Sequence, residues 1–179
     1  MWTDFRRLIT FQPGRLLLAG AVLKGKNMEW LNLFGLAFVA VILVPNIVFA
    51  MKCKDGFDNL WQNKAVEILE QIGRFGCFGL MIFNIPGVYF GFWSDEAFAV
   101  YLAADCVLVF VYCLIWVICF RKNSVFRALA LSIIPSVLFL FSGIMSRYIP
   151  LIAAAVIFAP CHILISYKNA VQTNKNLFC

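Results

Sequence analysis

Five residues combine a side chain capable of chemistry with an apolar setting: Asn46, Asn84, Asp105, Ser136 and His162. All but Asp105 stand one or two positions from a proline, in Pro45-Asn46, Asn84-Ile85-Pro86, Pro135-Ser136 and Pro160-Cys161-His162. A proline inside an apolar helix removes a backbone hydrogen bond and leaves a carbonyl that lipid cannot satisfy. The neighbouring polar group then either repairs its own helix or joins the others around a shared cavity, and both outcomes fit a set lying inside the stretches rather than at their ends. Asp105 carries the sharper constraint. An ionised carboxylate facing lipid is costly, so Asp105 should face other helices and find a partner. As function that is a cation or proton site; as structure it is an ion pair with Arg147, with Asn84 and Ser142 at compatible depths.

His162 is the only histidine, which excludes a histidine triad, a paired-histidine haem site and a metalloprotease centre by count. It reads as a helix-packing residue or as a proton relay. Of the seven cysteines, Cys77, Cys106, Cys113, Cys119 and Cys161 fall in apolar runs, and no Cys-x-x-Cys pair occurs, so they read as packing residues rather than a redox or metal centre. Glu67 and Glu70 lie three apart, with no second acidic motif or ligating histidine to make them a catalytic pair. No catalytic residue, cofactor or metal is therefore assigned.

These side chains need helices that cross a bilayer. Hydrophobic residues make up 63% of the chain and charged residues 13%, and the mean hydropathy is +0.89, too little polar surface to cover a water-soluble fold. Crossing the hydrocarbon takes roughly 20 apolar residues. Five stretches qualify, about 31–51, 75–93, 97–120, 128–146 and 149–167. The second holds Gly76, Gly79, Gly87, Gly91 and Pro86, and a broken or re-entrant helix is its alternative. Lys64 to Arg74 reads as a short amphipathic helix on the membrane surface, with Ala65, Ile68, Leu69 and Ile72 on its apolar stripe. The expected fold is an all-α integral membrane protein, a bundle of five transmembrane helices with that short cytoplasmic helix before the second span. The small-residue pairs Gly87/Gly91, Ala99/Ala103 and Ala155/Ala159 are candidate close-packing faces.

Basic residues set the direction. Lys52, Lys54, Lys64, Arg74, Arg121, Lys122, Arg127, Lys168 and Lys175 fall on one side and Arg147 alone on the other, which places the C-terminus in the cytoplasm. Residues 1–27 contradict this with Arg6, Arg7, Arg15, Lys24 and Lys26. The codons for Lys24-Gly25-Lys26-Asn27 form a purine-rich run that can contain a ribosome-binding sequence before Met28, so 1–27 is expected to be a mis-assigned extension, with a basic amphipathic leader on the membrane surface as its alternative. Residues 28–168 then form the transmembrane domain and 169–179 a cytoplasmic tail.

Val44-Pro-Asn-Ile-Val-Phe49, Lys54-Asp-Gly-Phe57, Glu67-Ile-Leu-Glu-Gln-Ile-Gly-Arg-Phe-Gly-Cys77 and Met81-Ile-Phe-Asn-Ile-Pro86 together resemble a set of small multi-pass membrane proteins of Gram-positive bacteria to which no activity is assigned. The resemblance covers about Met28 to Lys168. It implies the bacterial cytoplasmic membrane and transfers no active site. Three function classes follow: a small carrier or permease built around the five polar residues; a non-catalytic subunit, immunity or sensor protein acting through protein contacts; and, behind both, a lipid-modifying enzyme. The lipid bilayer is the common partner, with a membrane protein or a second copy as further contacts. The net charge of +6 is explained by topology and anionic lipid, not nucleic acid.

Overall fold

The computed structural model describes residues 30–52, 60–120 and 124–177, the last four as backbone only. The basic extension 1–27 lies outside the described residues. Five α-helices follow one another: α1 Leu33–Lys52, α2 Lys64–Ile82, α3 Asp95–Cys119, α4 Val125–Met145 and α5 Ile149–Leu177. All but α2 are long and apolar enough to cross a membrane, four candidate spans that make this a multi-pass membrane protein. The helices pack as a closed ring in the order α1, α2, α5, α4, α3 and back to α1. Pro45, Pro135 and Pro160 lie inside continuous helices.

Side-chain caps start three of them. Asn63 Oδ1 accepts from the Val66 N–H, Ser94 Oγ from Ala97 and Ser124 Oγ from Arg127, each satisfying a donor that the first turn leaves free. Asp95 and Glu96 add negative charge where the α3 dipole is positive. One end of the ring is basic: Lys52 lies over the Phe120 ring, while Arg127 lies over Phe49 and donates to the Cys119 and Phe120 carbonyls that end α3. The opposite end is aromatic, with Trp30 stacked on Phe83 and Tyr89 edge-on to Tyr148.

The second element departs from expectation. The amphipathic segment and the first part of the expected second span are one helix, α2, while 83–94 is irregular. Phe83 turns to extended backbone and bonds back to the Gly79 carbonyl. Ile85 is disfavoured as helix by Pro86, and Gly87 (φ 89°) and Gly91 (φ 75°) take left-handed conformations that glycine adopts freely. Gly87 and Gly91 are thus turn residues and not a helix-packing face.

The orientation of α2 also departs from that of a surface helix. Glu70, Gly73, Cys77 and Met81 are buried, whereas Ile68, Leu69, Ile72 and Phe75 are exposed, Phe75 at 69%. From its polar side Glu70 faces protein, and its apolar stripe faces out. α2 lies antiparallel along α5: the Trp61 N–H meets Asn169 Oδ1, Glu70 meets His162, Gly73 meets Phe158, Gly76 meets Ala154, and Tyr148 reaches the Phe83 carbonyl. At Gly73 a Cβ would stand 2.8 Å from the Phe158 backbone, so glycine sets the approach of these helices. Finally, α5 continues to Leu177, through most of the stretch expected to be a tail.

Candidate functional site

The five sequence-derived residues occupy separate settings. Two bond back to their own helices beside prolines, each to the carbonyl four residues before it and not to the one its proline leaves unbonded. Ser136 Oγ donates to the Ser132 carbonyl at 2.7 Å, and Asn46 Nδ2 lies 2.9 Å from the Ile42 carbonyl and 2.8 Å from the Tyr112 hydroxyl, which also ties α1 to α3. Asp105 and Asn84 belong to the aromatic end, and His162 to a cluster nearer the basic end.

At the aromatic end a small cavity is lined by Asn32, Asn84, Tyr89, Tyr101, Ser142, Ser146 and Tyr148, with Leu80, Met81 and Leu151 as its apolar part. About 10 Å³ is open to the centre of a water-sized sphere, room for about one water. Asp105 lies beside it, fully buried, one helical turn from Tyr101 and bonded to Ser142, whose Oγ is 2.7 Å from Asp105 Oδ2. The same Oγ is 2.7 Å from the Leu138 carbonyl. One hydroxyl proton serves one acceptor at a time, so the carboxyl either accepts from Ser142 or, when protonated, donates to it. Asp105 Oδ1 and the Tyr101 hydroxyl have no hydrogen-bond partner among the described residues.

The expected Asp105–Arg147 pair does not form. Arg147 takes φ 51° in the tight turn between α4 and α5, and its exposed guanidinium reaches outward to the Phe90 carbonyl at 3.0 Å and the Gly91 carbonyl at 3.3 Å. It pins the 83–94 segment instead. Tyr148, buried at 1%, adds a second tie, accepting from the Ile85 N–H and donating to the Phe83 carbonyl, both at 3.1 Å. Phe92 completes the cover by packing on Phe98 and Tyr101.

The other cluster centres on Glu70, a residue off the apolar stripe of the expected amphipathic helix. Its Oε1 accepts from Arg74 Nε at 2.9 Å and lies 2.9 Å from His162 Nδ1 across the α2–α5 contact. His162 stacks on Phe158 with ring centroids 4.6 Å apart. The signal for the Arg74 contact was present, since Glu70 and Arg74 are four apart on one helix. Nothing local signalled His162, which is 92 positions away.

A dry layer separates the two regions. Cys77, Leu138, Phe139 and Ala155 have 0% exposure, and Phe78, Phe139 and Phe158 form a chain of ring contacts at 5.6 and 5.8 Å. Counting along α5 from Leu151 to His162, the cavity and the Glu70 cluster stand roughly 16 Å apart at 1.5 Å per residue. No group of three or more metal-ligating His, Cys, Asp or Glu side chains occurs among the described residues. No protein-family model, curated protein or solved structure matches the chain.

Proposed function

We propose that this chain is a small membrane carrier whose coupling group is Asp105. The observation that supports it is the placement of a fully buried, incompletely bonded carboxylate against a polar cavity at one end of a dry layer, with a second ionisable cluster beyond that layer. Buried ionisable groups in membrane helices are expensive, and transport and proton relay are the functions that most often repay them. In this reading α2 crosses the bilayer as a fifth span despite its charges, because its mid-helix pair Glu70 and Arg74 is internally compensated and Glu70 meets His162 of α5. The basic end, with Lys52, Lys64, Arg127 and Lys168, faces the cytoplasm under the positive-inside rule, so the Asp105 cavity opens outward. Opening requires the 83–94 cover to move away from Tyr148 and Arg147. The ring contacts through Phe139 then hold the barrier below.

The test is ion flux into proteoliposomes carrying a trapped pH dye, under an imposed sodium or pH gradient. Wild-type protein should accelerate flux over protein-free vesicles, and Asp105→Asn should reduce it to the vesicle baseline while keeping the wild-type melting temperature. Equal flux from wild type and Asp105→Asn would remove Asp105 from the mechanism.

A further inference from the structure

We infer that Asp105 is a proton-binding site and is loaded in this structure, its carboxyl holding a proton on Oδ2 and donating it to Ser142. This deepens the carrier reading by naming the coupling ion, and rests on that reading only for the use of the proton in transport. The count of hydrogens carries it. Ser142 Oγ stands 2.7 Å from Asp105 Oδ2 and 2.7 Å from the Leu138 carbonyl, each the length of an ordinary O–H···O bond. Three oxygens joined by two such contacts need two hydrogens, and Ser142 supplies only one. With Asp105 ionised, one contact would set lone pair against lone pair in a fully buried place. With Asp105 protonated both are filled: Oδ2–H donates to Ser142 Oγ, and Ser142 Oγ–H donates to Leu138. Its neighbours on α4 behave the same way, since Ser136 and Ser146 also give their hydrogens to the carbonyl four residues before, at 2.7 and 2.6 Å.

The surroundings offer nothing that would hold an anion there. On α3 the titratable neighbours are Tyr101, one turn away, and Cys106, which is exposed. From the other elements the groups around the adjoining cavity are Ser142 and Ser146 of α4, Asn32, Asn84, and the tyrosines Tyr89 and Tyr148, all uncharged. Arg147 is turned outward to the cover, and among the described residues no cation acts on Asp105. A buried carboxyl without a cation takes up a proton instead of keeping a bare charge. The neutral acid also tolerates an unbonded carbonyl oxygen better than an anion would, and Oδ1 is that oxygen.

Ser142 is the residue, among those described, that both bonds Asp105 and lines the cavity. It is therefore the proton's way out. The Asp105 Oδ2–H bond breaks, that proton joins Ser142 Oγ, and the hydrogen Ser142 already carried leaves to a water in the cavity. The new Ser142 hydroxyl then donates to the carboxylate left behind, and the reverse sequence reloads the site.

Infrared spectroscopy of the purified full chain in detergent tests this, through the carbonyl stretch that a protonated carboxyl shows above the amide absorption and an ionised one lacks. Wild-type protein should show that band at neutral pH, and raising the pH should bleach it reversibly. Growth on aspartate carrying heavy carbon in its side-chain carboxyl should lower the band's frequency, which separates Asp105 from Glu70. Asp105→Asn should abolish the band. Ser142→Ala should keep it at a displaced frequency, because the acid loses its acceptor, and this assigns the band should Asp105→Asn fail to fold. No band at neutral pH, a band that labelled aspartate does not move, one that survives Asp105→Asn or is unmoved by Ser142→Ala, or one that persists to the alkaline limit of folding would each overturn the site. A band that behaves as expected without proton flux into vesicles would keep the site and remove the carrier. Sodium flux that depends on Asp105, with no band, would keep the carrier and remove the proton.

Discussion

Asp105 and Glu70 are both buried carboxylates in an apolar bundle, and their surroundings differ in kind. Glu70 has an arginine on its own helix and a histidine on the next, and it fastens α2 to α5 where Gly73 lets the two backbones meet. Asp105 has one serine hydroxyl and an oxygen with no partner among the described residues. A satisfied buried charge holds helices together, whereas an under-satisfied one beside a cavity keeps capacity for something else. The contrast assigns them different work: Glu70 to the architecture, Asp105 to binding.

The largest effect that follows is on Glu70. Glu70→Ala leaves a guanidinium and an imidazole without their shared acceptor inside the bundle, and breaking such a cluster from one side costs roughly 3 kcal/mol, with Arg74's partial exposure holding it below the upper range. Melting in detergent should fall by many degrees, and Glu70→Gln, which keeps an acceptor oxygen, should fall less. If Glu70→Ala melts like wild type, the architectural role is wrong and the two carboxylates are not different after all. Next in size is Gly73→Val, which sets branched carbon against the Phe158 backbone. Overpacking of about 2 kcal/mol is expected, read again as melting temperature, and it should be sub-additive with Glu70→Ala because both act on one interface.

The same contrast shows what sequence could and could not convey. Length and apolarity locate α1, α3, α4 and α5 to within a few residues at most of their ends, because lipid-facing helices advertise themselves by composition. α2 does not. Ile68, Leu69 and Ile72 on one side with Glu70 and Arg74 on the other is the pattern of a helix floating on a membrane, and the pattern is unchanged when the polar face turns inward against α5. Periodicity gives the faces without saying which faces water. Burial of Asp105 was legible from the cost of the alternative. Its partner was not, since counting residues brings Arg147 to a compatible depth but cannot foresee the positive-φ turn that sends its side chain to Phe90 and Gly91. Asn46 and Ser136 carried a repair signal in their prolines, but the carbonyls they contact, Ile42 and Ser132, lie one residue past Val41 and Leu131, which Pro45 and Pro135 leave without an i+4 N–H.

A smaller effect concerns that absent ion pair. Arg147→Gln should cost about 1 kcal/mol or less, the worth of exposed hydrogen bonds to two carbonyls, and a double-mutant cycle with Asp105→Asn should show coupling within about 0.5 kcal/mol of zero. Strong coupling measured by melting of the two single variants and the double variant would restore the pair and make Asp105 as architectural as Glu70.

The smallest expected stability change is at Asp105 itself. Asp105→Asn keeps the shape and an oxygen for the Ser142 hydroxyl, and removes a group whose charge, once ionised, no cation in the described structure offsets. The substitution should leave melting in detergent within about 1 kcal/mol of wild type, or raise it, as replacing poorly compensated buried charge often does. Glu70→Gln, the chemically matched change at the other carboxylate, should lower melting under the same conditions because Arg74 and His162 lose their anion. The pair of amide variants is therefore the direct comparison. Opposite or clearly unequal responses support a binding carboxylate and a fastening one, and equal losses at both positions would mean that Asp105 is held by the fold as tightly as Glu70.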